Sequence, residues 1–206
     1  MDLFSWSIII TAGFAVYMLM KRDQAPGRAV AVSAEAPQVQ GRVVQAWTKE
    51  LIKQYLVEKS NEAGIDPAIT LAIVQHESSF NPNAYNPERG TISAKRKAEL
   101  MQYAGIVPQS ELDDPERLGS RGLFQIYALT ALRLGLRPRE SLDELFDVVT
   151  NTMYGIMLLK QLTGQYSDVK DVFAAYNSGK PYNQAPATTR DQYVPAVIRL
   201  YNQYEV

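Results

Sequence analysis

Residues 66 to 84 run Asp66-Pro67-Ala68-Ile69-Thr70-Leu71-Ala72-Ile73-Val74-Gln75-His76-Glu77-Ser78-Ser79-Phe80-Asn81-Pro82-Asn83-Ala84. Asp66 is a helix-capping residue, and Pro67 suits the first helical position, where its missing N–H costs nothing. An apolar run follows, and Asn81-Pro82 stops it. Glu77 therefore falls in the last turn, at the negative end of the macrodipole. With Ile73, Val74 and Phe80 limiting hydration, both effects disfavour the ionised carboxylate and raise its pKa. A glutamate kept protonated near neutral pH can act as a general acid. Taken alone, the stretch is equally consistent with a solvated glutamate at a helix end.

Working outward, helical periodicity recurs on both sides of this stretch. Val43, Val44, Trp47, Leu51, Ile52, Tyr55 and Leu56 are spaced at three and four, with Gly64 as a stop. Beyond Gly122, Phe124 to Leu134 reads as a helix closed by Gly135. Ser141-Leu142-Asp143-Glu144 matches a capping box. Asp147 precedes a periodic run from Val148 through Met153, Ile156 and Met157 to Leu162, ending at Gly164. Asp168 to Tyr176 and Arg190 to Tyr204 complete the set, with Pro195 expected to kink the last helix or to lie in its first turn. No alternating strand pattern of any length is present, so the expected domain is mainly α-helical, with at most a small hairpin between Tyr85 and Gly119.

Composition removes much of the available chemistry. The 206 residues include no Cys and one His, which rules out a thiolate zinc site, a cysteine nucleophile and a multi-histidine metal centre. No metal or other cofactor is implied. A Ser-His-Asp arrangement would have to use His76, whose neighbours Glu77 and Ser78 point elsewhere on a helix, and no Gly-x-Ser-x-Gly elbow accompanies it. Carboxylates and hydroxyls remain as acid-base groups. The net charge of −1, with both signs interspersed, offers no electrostatic footprint for nucleic acid.

Three parts are expected: an anchor over 1–22, a linker over 23–41 and one domain over 42–206. Leu3 to Met20 is uncharged and close to the minimum length for a helix crossing a bilayer. The alternative is a secretory signal peptide, against which stand the lack of Lys or Arg before the apolar run and the run's length. Lys21 and Arg22 follow it, and by the positive-inside rule they would hold the rest of the chain on the cytoplasmic side. Residues 23 to about 40, rich in Ala, Pro, Gln, Val and Gly, read as a linker.

Three polar blocks recur in order: Gln75-His76-Glu77-Ser78-Ser79-Phe80-Asn81-Pro82, Gly119-Ser120-Arg121-Gly122-Leu123-Phe124-Gln125-Ile126, and Ala174-Ala175-Tyr176-Asn177-Ser178-Gly179. Together they resemble the signature blocks of lytic transglycosylases with the soluble-lytic-transglycosylase (SLT) fold, in glycoside hydrolase family 23, related to goose-type lysozyme. Asp147, Asn151 and Gly155, and then Tyr193-Val194-Pro195, resemble that family's connecting and closing helices. The resemblance covers roughly 42 to 204 and implies a lysozyme-like helical domain.

It also implies cleavage of the β-1,4 bond between N-acetylmuramic acid and N-acetylglucosamine in peptidoglycan. Glu77 would protonate the glycosidic oxygen and then, ionised, take a proton from the C6 hydroxyl of the muramic sugar. That hydroxyl attacks C1 and gives a 1,6-anhydro product, so no second catalytic carboxylate is needed, unlike most glycosidases. The resemblance puts Ser78 in the cleft near the acid and gives Gln125 an amide for an N-acetyl group. Tyr176 and Asn177 would orient Glu77 or the charged intermediate. Phe124 stands where the family usually has Met. A hydrolysing muramidase on the same scaffold and a non-catalytic wall-binding or virion assembly module are the alternatives.

The stretch from Asn86 to Gly119 is longer and more charged than the connection many family members have there. It reads either as a solvated, partly helical insertion or as a flap over the glycan cleft. Location follows from the anchor charges: a wall-cleaving enzyme held on the cytoplasmic side favours a bacteriophage virion protein, carried in a membrane or delivered at infection. An inner-membrane enzyme facing the periplasm is the alternative.

Overall fold

The computed structural model describes residues 46–87, 92–138 and 141–205. The expected anchor and the whole of the expected linker lie outside them, as do Val43 and Val44. Among the described residues, no helix is long and apolar enough to cross a membrane. The α-helices are α1 (Lys49–Ala63), α2 (Pro67–Ser78), α3 (Ala94–Leu100), α4 (Gln109–Asp113), α5 (Ala128–Arg133), α6 (Val148–Gln165), α7 (Val169–Ser178) and α8 (Val194–Tyr204). Three two-residue strands, β1 (Tyr85–Asn86), β2 (Ser120–Arg121) and β3 (Ile126–Tyr127), form one antiparallel sheet in the order β1-β2-β3.

Local chemistry sets most helix ends. Thr48 Oγ1 accepts from the Leu51 N–H at 3.3 Å at the start of α1, and Gly64 closes that helix at φ 70°. Asp66 Oδ1 accepts from Ala68 N–H at 2.9 Å, with Pro67 in the first helical turn. Asp147 and Asp168 cap α6 and α7 in the same way, each accepting a backbone N–H at 2.8 Å.

Helix α2 is the centre of the domain. Every residue from Ala68 to Val74 is buried, because α1 and α8 pack against it. Burying each of Ile69, Leu71, Ile73 and Val74 contributes about 1.5–3 kcal/mol. The Ser60 hydroxyl of α1 bonds to Thr70 at 2.8 Å, so the polar groups in this interface are satisfied. Glu77 is carried at the end of the most deeply packed helix.

The sequence pattern misjudged the region after Gly119. The expected helix over Phe124 to Leu134 is confined to α5, and Ile126–Tyr127 is a strand paired with Ser120–Arg121. The cause is the turn before it: Gly122 has φ 73° and Gln125 has φ 47°, both left-handed, which ends any helical path. Asn151 holds that turn from across the domain. Its Oδ1 accepts from Phe124 N–H at 2.9 Å, and its Nδ2 donates to the carbonyls of Arg121 and Leu145 at 2.9 and 2.7 Å. A Cβ on Gly122 would lie 2.4 Å from Asn151 Nδ2, so only glycine fits.

The small hairpin also falls outside the expected window: β1 lies in it, but β2 and β3 follow Gly119. Ser141 Oγ accepts from Asp143 N–H at 2.9 Å and opens a 3₁₀ turn over Leu142–Phe146, where a capping box would open an α-helix. Helix α6 runs through Gly164 to Gln165. Pro195 lies in the first turn of α8, after a π-helical turn over Thr189–Tyr193.

The insertion is more than a solvated loop. It contributes Leu100, Val107, Leu112 and Leu118 to the core. It also supplies Glu111 and Arg117 to an ion network. Arg117 Nη2 binds Glu111 Oε1 at 2.8 Å and Asp143 Oδ2 at 2.9 Å, and Asp143 Oδ1 meets the Nε of fully buried Arg121 at 3.3 Å. Arg121 also donates to the carbonyls of Gly119 and Arg117, at 2.9 and 2.5 Å. These bonds tie the insertion to β2.

Candidate active site

Glu77 is the penultimate residue of α2. Immediately after the helix, Ser79 and Phe80 both take left-handed backbone angles, φ 53° and 65°. Two such residues in succession are sterically costly and persist only where the surroundings hold them. The buried Phe80 ring, with the Lys49 and Lys53 ammonium groups 5.2 and 5.0 Å from its centre, supplies that hold. The turn leads the chain away from the carboxylate and into β1.

Among the described residues, the carboxylate accepts one hydrogen bond, from the Tyr193 hydroxyl to Glu77 Oε1 at 2.6 Å. Tyr193 is buried, and its ring meets His76 edge-on at 4.7 Å between centroids. Burial pushes the Glu77 carboxyl above its ordinary value, and the Tyr193 hydrogen bond pulls it only partly back. Burial, and then the neighbouring Glu77 charge, raise the Tyr193 and Tyr176 hydroxyls well above the usual phenol value. Both tyrosines thus stay protonated, and Tyr193 is a permanent donor.

Glu77 opens into a cleft of about 670 Å³, whose wall also includes Gln125, Tyr176 and Asn177. Four of the five residues expected at the site are therefore brought together from α2, the turn between β2 and β3, and α7. Ser78 is not among the residues lining this cleft; its hydroxyl donates back to the Val74 carbonyl of its own helix at 3.1 Å.

Each of the other polar groups has part of its capacity committed. Gln125 Nε2 donates to the carbonyls of Ala84 and Gly122, both at 3.0 Å, which leaves its Oε1 as the group it can offer a ligand. The Tyr176 hydroxyl donates to the Phe124 carbonyl, so it braces the turn that carries Gln125. Asn177 Oδ1 accepts from Thr189 Oγ1 at 2.7 Å, leaving its Nδ2 as a donor. Phe124 is fully buried and packs against Gly155, where an added Cβ would lie 2.3 Å from the ring.

Tyr193 is the residue that sequence reasoning missed as a partner of the acid. Its motif, Tyr193-Val194-Pro195, was read as resembling the family's closing helix, with no role for the tyrosine hydroxyl. Among the described residues that line the cleft, Glu77 is the only carboxylate. Among the described residues, no group of three or more His, Cys, Asp or Glu side chains could hold a metal ion.

Residues 54–192 match the family model of the Transglycosylase SLT domain. Neither a curated protein nor a solved structure matches the chain. A cleft in which one partly buried carboxylic acid stands among the described lining residues, within a family match that spans well over half of the sequence, places this chain in the transglycosylase SLT-domain family.

Proposed function

We propose that the protein is a peptidoglycan lytic transglycosylase of glycoside hydrolase family 23 in which Glu77 acts alone, first as acid and then as base. The family match supports lytic transglycosylase activity on peptidoglycan in general. The observation that carries the finer reading is the cleft wall, in which Glu77 has no acidic neighbour among the described residues. Retaining glycosidases need a second carboxylate about 5–5.5 Å away, and inverting ones need a second to activate water. The described cleft wall offers neither, which supports a nucleophile supplied by the substrate.

In this mechanism Glu77 begins protonated, as its raised pKa favours. It gives its proton to the oxygen between N-acetylmuramic acid and N-acetylglucosamine as that bond breaks toward an oxocarbenium-like state. The carboxylate so formed keeps the Tyr193 hydrogen bond, and the Nδ2 of Asn177 is available to steady the developing charge. Glu77 then takes the proton of the muramic C6 hydroxyl, whose oxygen closes on C1. The products are a 1,6-anhydromuramic end and a free N-acetylglucosamine hydroxyl, and the acid is restored. Holding the C6 hydroxyl beside C1 supplies the proximity that a separate water would lack. Gln125 Oε1 accepts from the N–H of an N-acetyl group in this scheme.

Mass spectrometry of digested peptidoglycan tests the reading. Anhydromuramic ends are expected, and they should vanish with Glu77→Gln. Reducing muramic ends would instead assign the fold to a hydrolysing muramidase, and unchanged lysis by Glu77→Gln would leave only a binding role. Membrane attachment through residues 3–20, on a virion protein or on an inner-membrane enzyme facing the periplasm, belongs to the same proposal. A C-terminal reporter fused to the protein expressed alone separates the two: efficient export sinks the virion argument.

A further inference from the structure

His76 is the single histidine of the chain, and nothing in the proposed reaction uses it. It directly precedes Glu77 in the last turn of α2. Its ring meets the Tyr193 ring edge-on, with centroids 4.7 Å apart and planes at 72°. The Tyr193 hydroxyl in turn donates to Glu77 Oε1 at 2.6 Å. Histidine, tyrosine and acid thus close a loop between the end of α2 and the π-helical turn over Thr189–Tyr193. Partial burial of the His76 ring holds its pKa below the ordinary value and keeps it neutral at neutral pH.

An edge contact acts on the degree of freedom that tyrosine's own chemistry leaves soft. The torsion that turns a tyrosine ring about its Cβ–Cγ bond is broad and weakly directed. Turning the ring leaves the oxygen in place, because that atom lies on the axis. It does redirect the hydroxyl hydrogen, which conjugation of the oxygen with the ring holds near the ring plane. A hydrogen bond weakens steeply as that hydrogen leaves the line from donor to acceptor. On the reading that Glu77 is the acid, we infer that His76 is a positioning residue: its ring sets the plane of the Tyr193 ring so that the hydroxyl hydrogen points at Glu77. Aromatic rings favour edge-to-face contact at this separation, so the imidazole needs no charge for this role.

The direction in which the Glu77 pKa moves separates aiming from simple cover. Burial raises that pKa and the Tyr193 hydrogen bond lowers it. If His76 only kept water away, removing it would hydrate the carboxyl and lower the pKa. If it aims the tyrosine, removing it weakens the bond and raises the pKa. The other groups around this carboxyl are the same in every variant compared: Tyr176 of α7, which feels the Glu77 charge, and Arg96 and Arg133, which line the same cleft.

NMR of the full-length protein with isotope-labelled glutamate carboxyls measures the Glu77 titration, its signal assigned by loss in Glu77→Gln. In His76→Ala the Glu77 pKa should rise, and His76→Phe, which restores an aromatic edge, should return it to the wild-type value. With Tyr193→Phe already in place, His76→Ala should raise it no further, since the effect passes through the hydroxyl. On soluble glycan strands His76→Ala should lose about fivefold in kcat with KM little changed, the pattern of an interaction realised in the transition state. A Glu77 pKa that stays or falls in His76→Ala overturns the inference, as does a further rise in the Tyr193→Phe background or a His76→Phe value equal to that of His76→Ala. Absence of cleavage by wild type, with the pKa rise intact, removes the catalytic reading and leaves the positioning role standing. Cleavage without that rise does the reverse.

Discussion

The Tyr193 hydroxyl donates to Glu77 Oε1 at 2.6 Å across 116 residues of sequence. This bond favours the ionised carboxylate, while burial favours the neutral acid, and burial is the larger effect. Removing the donor should therefore raise the Glu77 pKa further. In Tyr193→Phe, the fall in kcat/KM at alkaline pH should begin at higher pH than in wild type. At its optimum the variant should lose about tenfold or more in kcat, because the carboxylate formed on proton donation is less stabilised. A pH–rate profile with soluble glycan strands measures both, and a limb that does not move would exclude Tyr193 as the regulator of the acid.

Glu77 also carries a stability signature. Its folded pKa is raised above the unfolded value, so the unfolded chain loses this proton first as pH rises. The group's contribution is fully present below the ordinary carboxylate range and is lost as pH rises through its folded pKa. Glu77→Gln removes that loss. Its Tm advantage over wild type should widen with pH across this window and stay constant below it, while activity falls by at least about a hundredfold. Thermal melts at matched ionic strength provide the check.

Gly155→Ala brings a Cβ to 2.3 Å from the Phe124 ring, with α6 on one side and the core on the other. Overpacking of this kind costs about 1–3 kcal/mol. Since Phe124 precedes Gln125, activity per folded molecule should fall as well. Urea denaturation and kinetics on the same preparation separate the two losses.

Asn151→Ala should be more damaging. It leaves the Phe124 N–H and the carbonyls of Arg121 and Leu145 without their partner. Each buried polar group left unpaired costs about 1–3 kcal/mol. The midpoint of urea unfolding should fall accordingly, and Asn151→Asp, which loses the two donated bonds but keeps the acceptor, should be little better.

Arg121 is fully buried while its charged partner Asp143 reaches solvent. Arg121→Met removes the charge together with its bonds to the Gly119 and Arg117 carbonyls. Solvent can take over Asp143, so the expected loss comes from the carbonyls left unpaired, about 1–3 kcal/mol for each that stays buried. Because the network joins the insertion to β2, limited proteolysis should cut the variant first between residues 92 and 118. Uniform cleavage would argue against this coupling.

The apolar pattern from Phe124 to Leu134 illustrates how local reading fails. Gly122 permits a left-handed backbone three residues earlier, but nothing local announces one at Gln125; the turn is held by Asn151, 27 residues from Phe124, and by Tyr176, 52 residues from it. Gln125 itself was legible as a site residue. That its amide nitrogen would be committed to Ala84 and Gly122 was not. The family resemblance put Ser78 in the cleft near the acid, yet its hydroxyl closes on Val74.

What residues 66 to 84 determined by themselves was a capped, apolar helix ending in a carboxylate, because caps and periodicity act within a turn or two of the chain. Composition then left that carboxylate few chemical rivals. Only the tertiary structure decided that Glu77 would be desolvated, that Tyr193 would be its donor, and that Lys95 and Arg96 of the insertion would stand beside the cleft. Desolvation and hydrogen bonds between distant residues arise when α2, α7 and α8 pack together, and no local pattern encodes which side chains then meet.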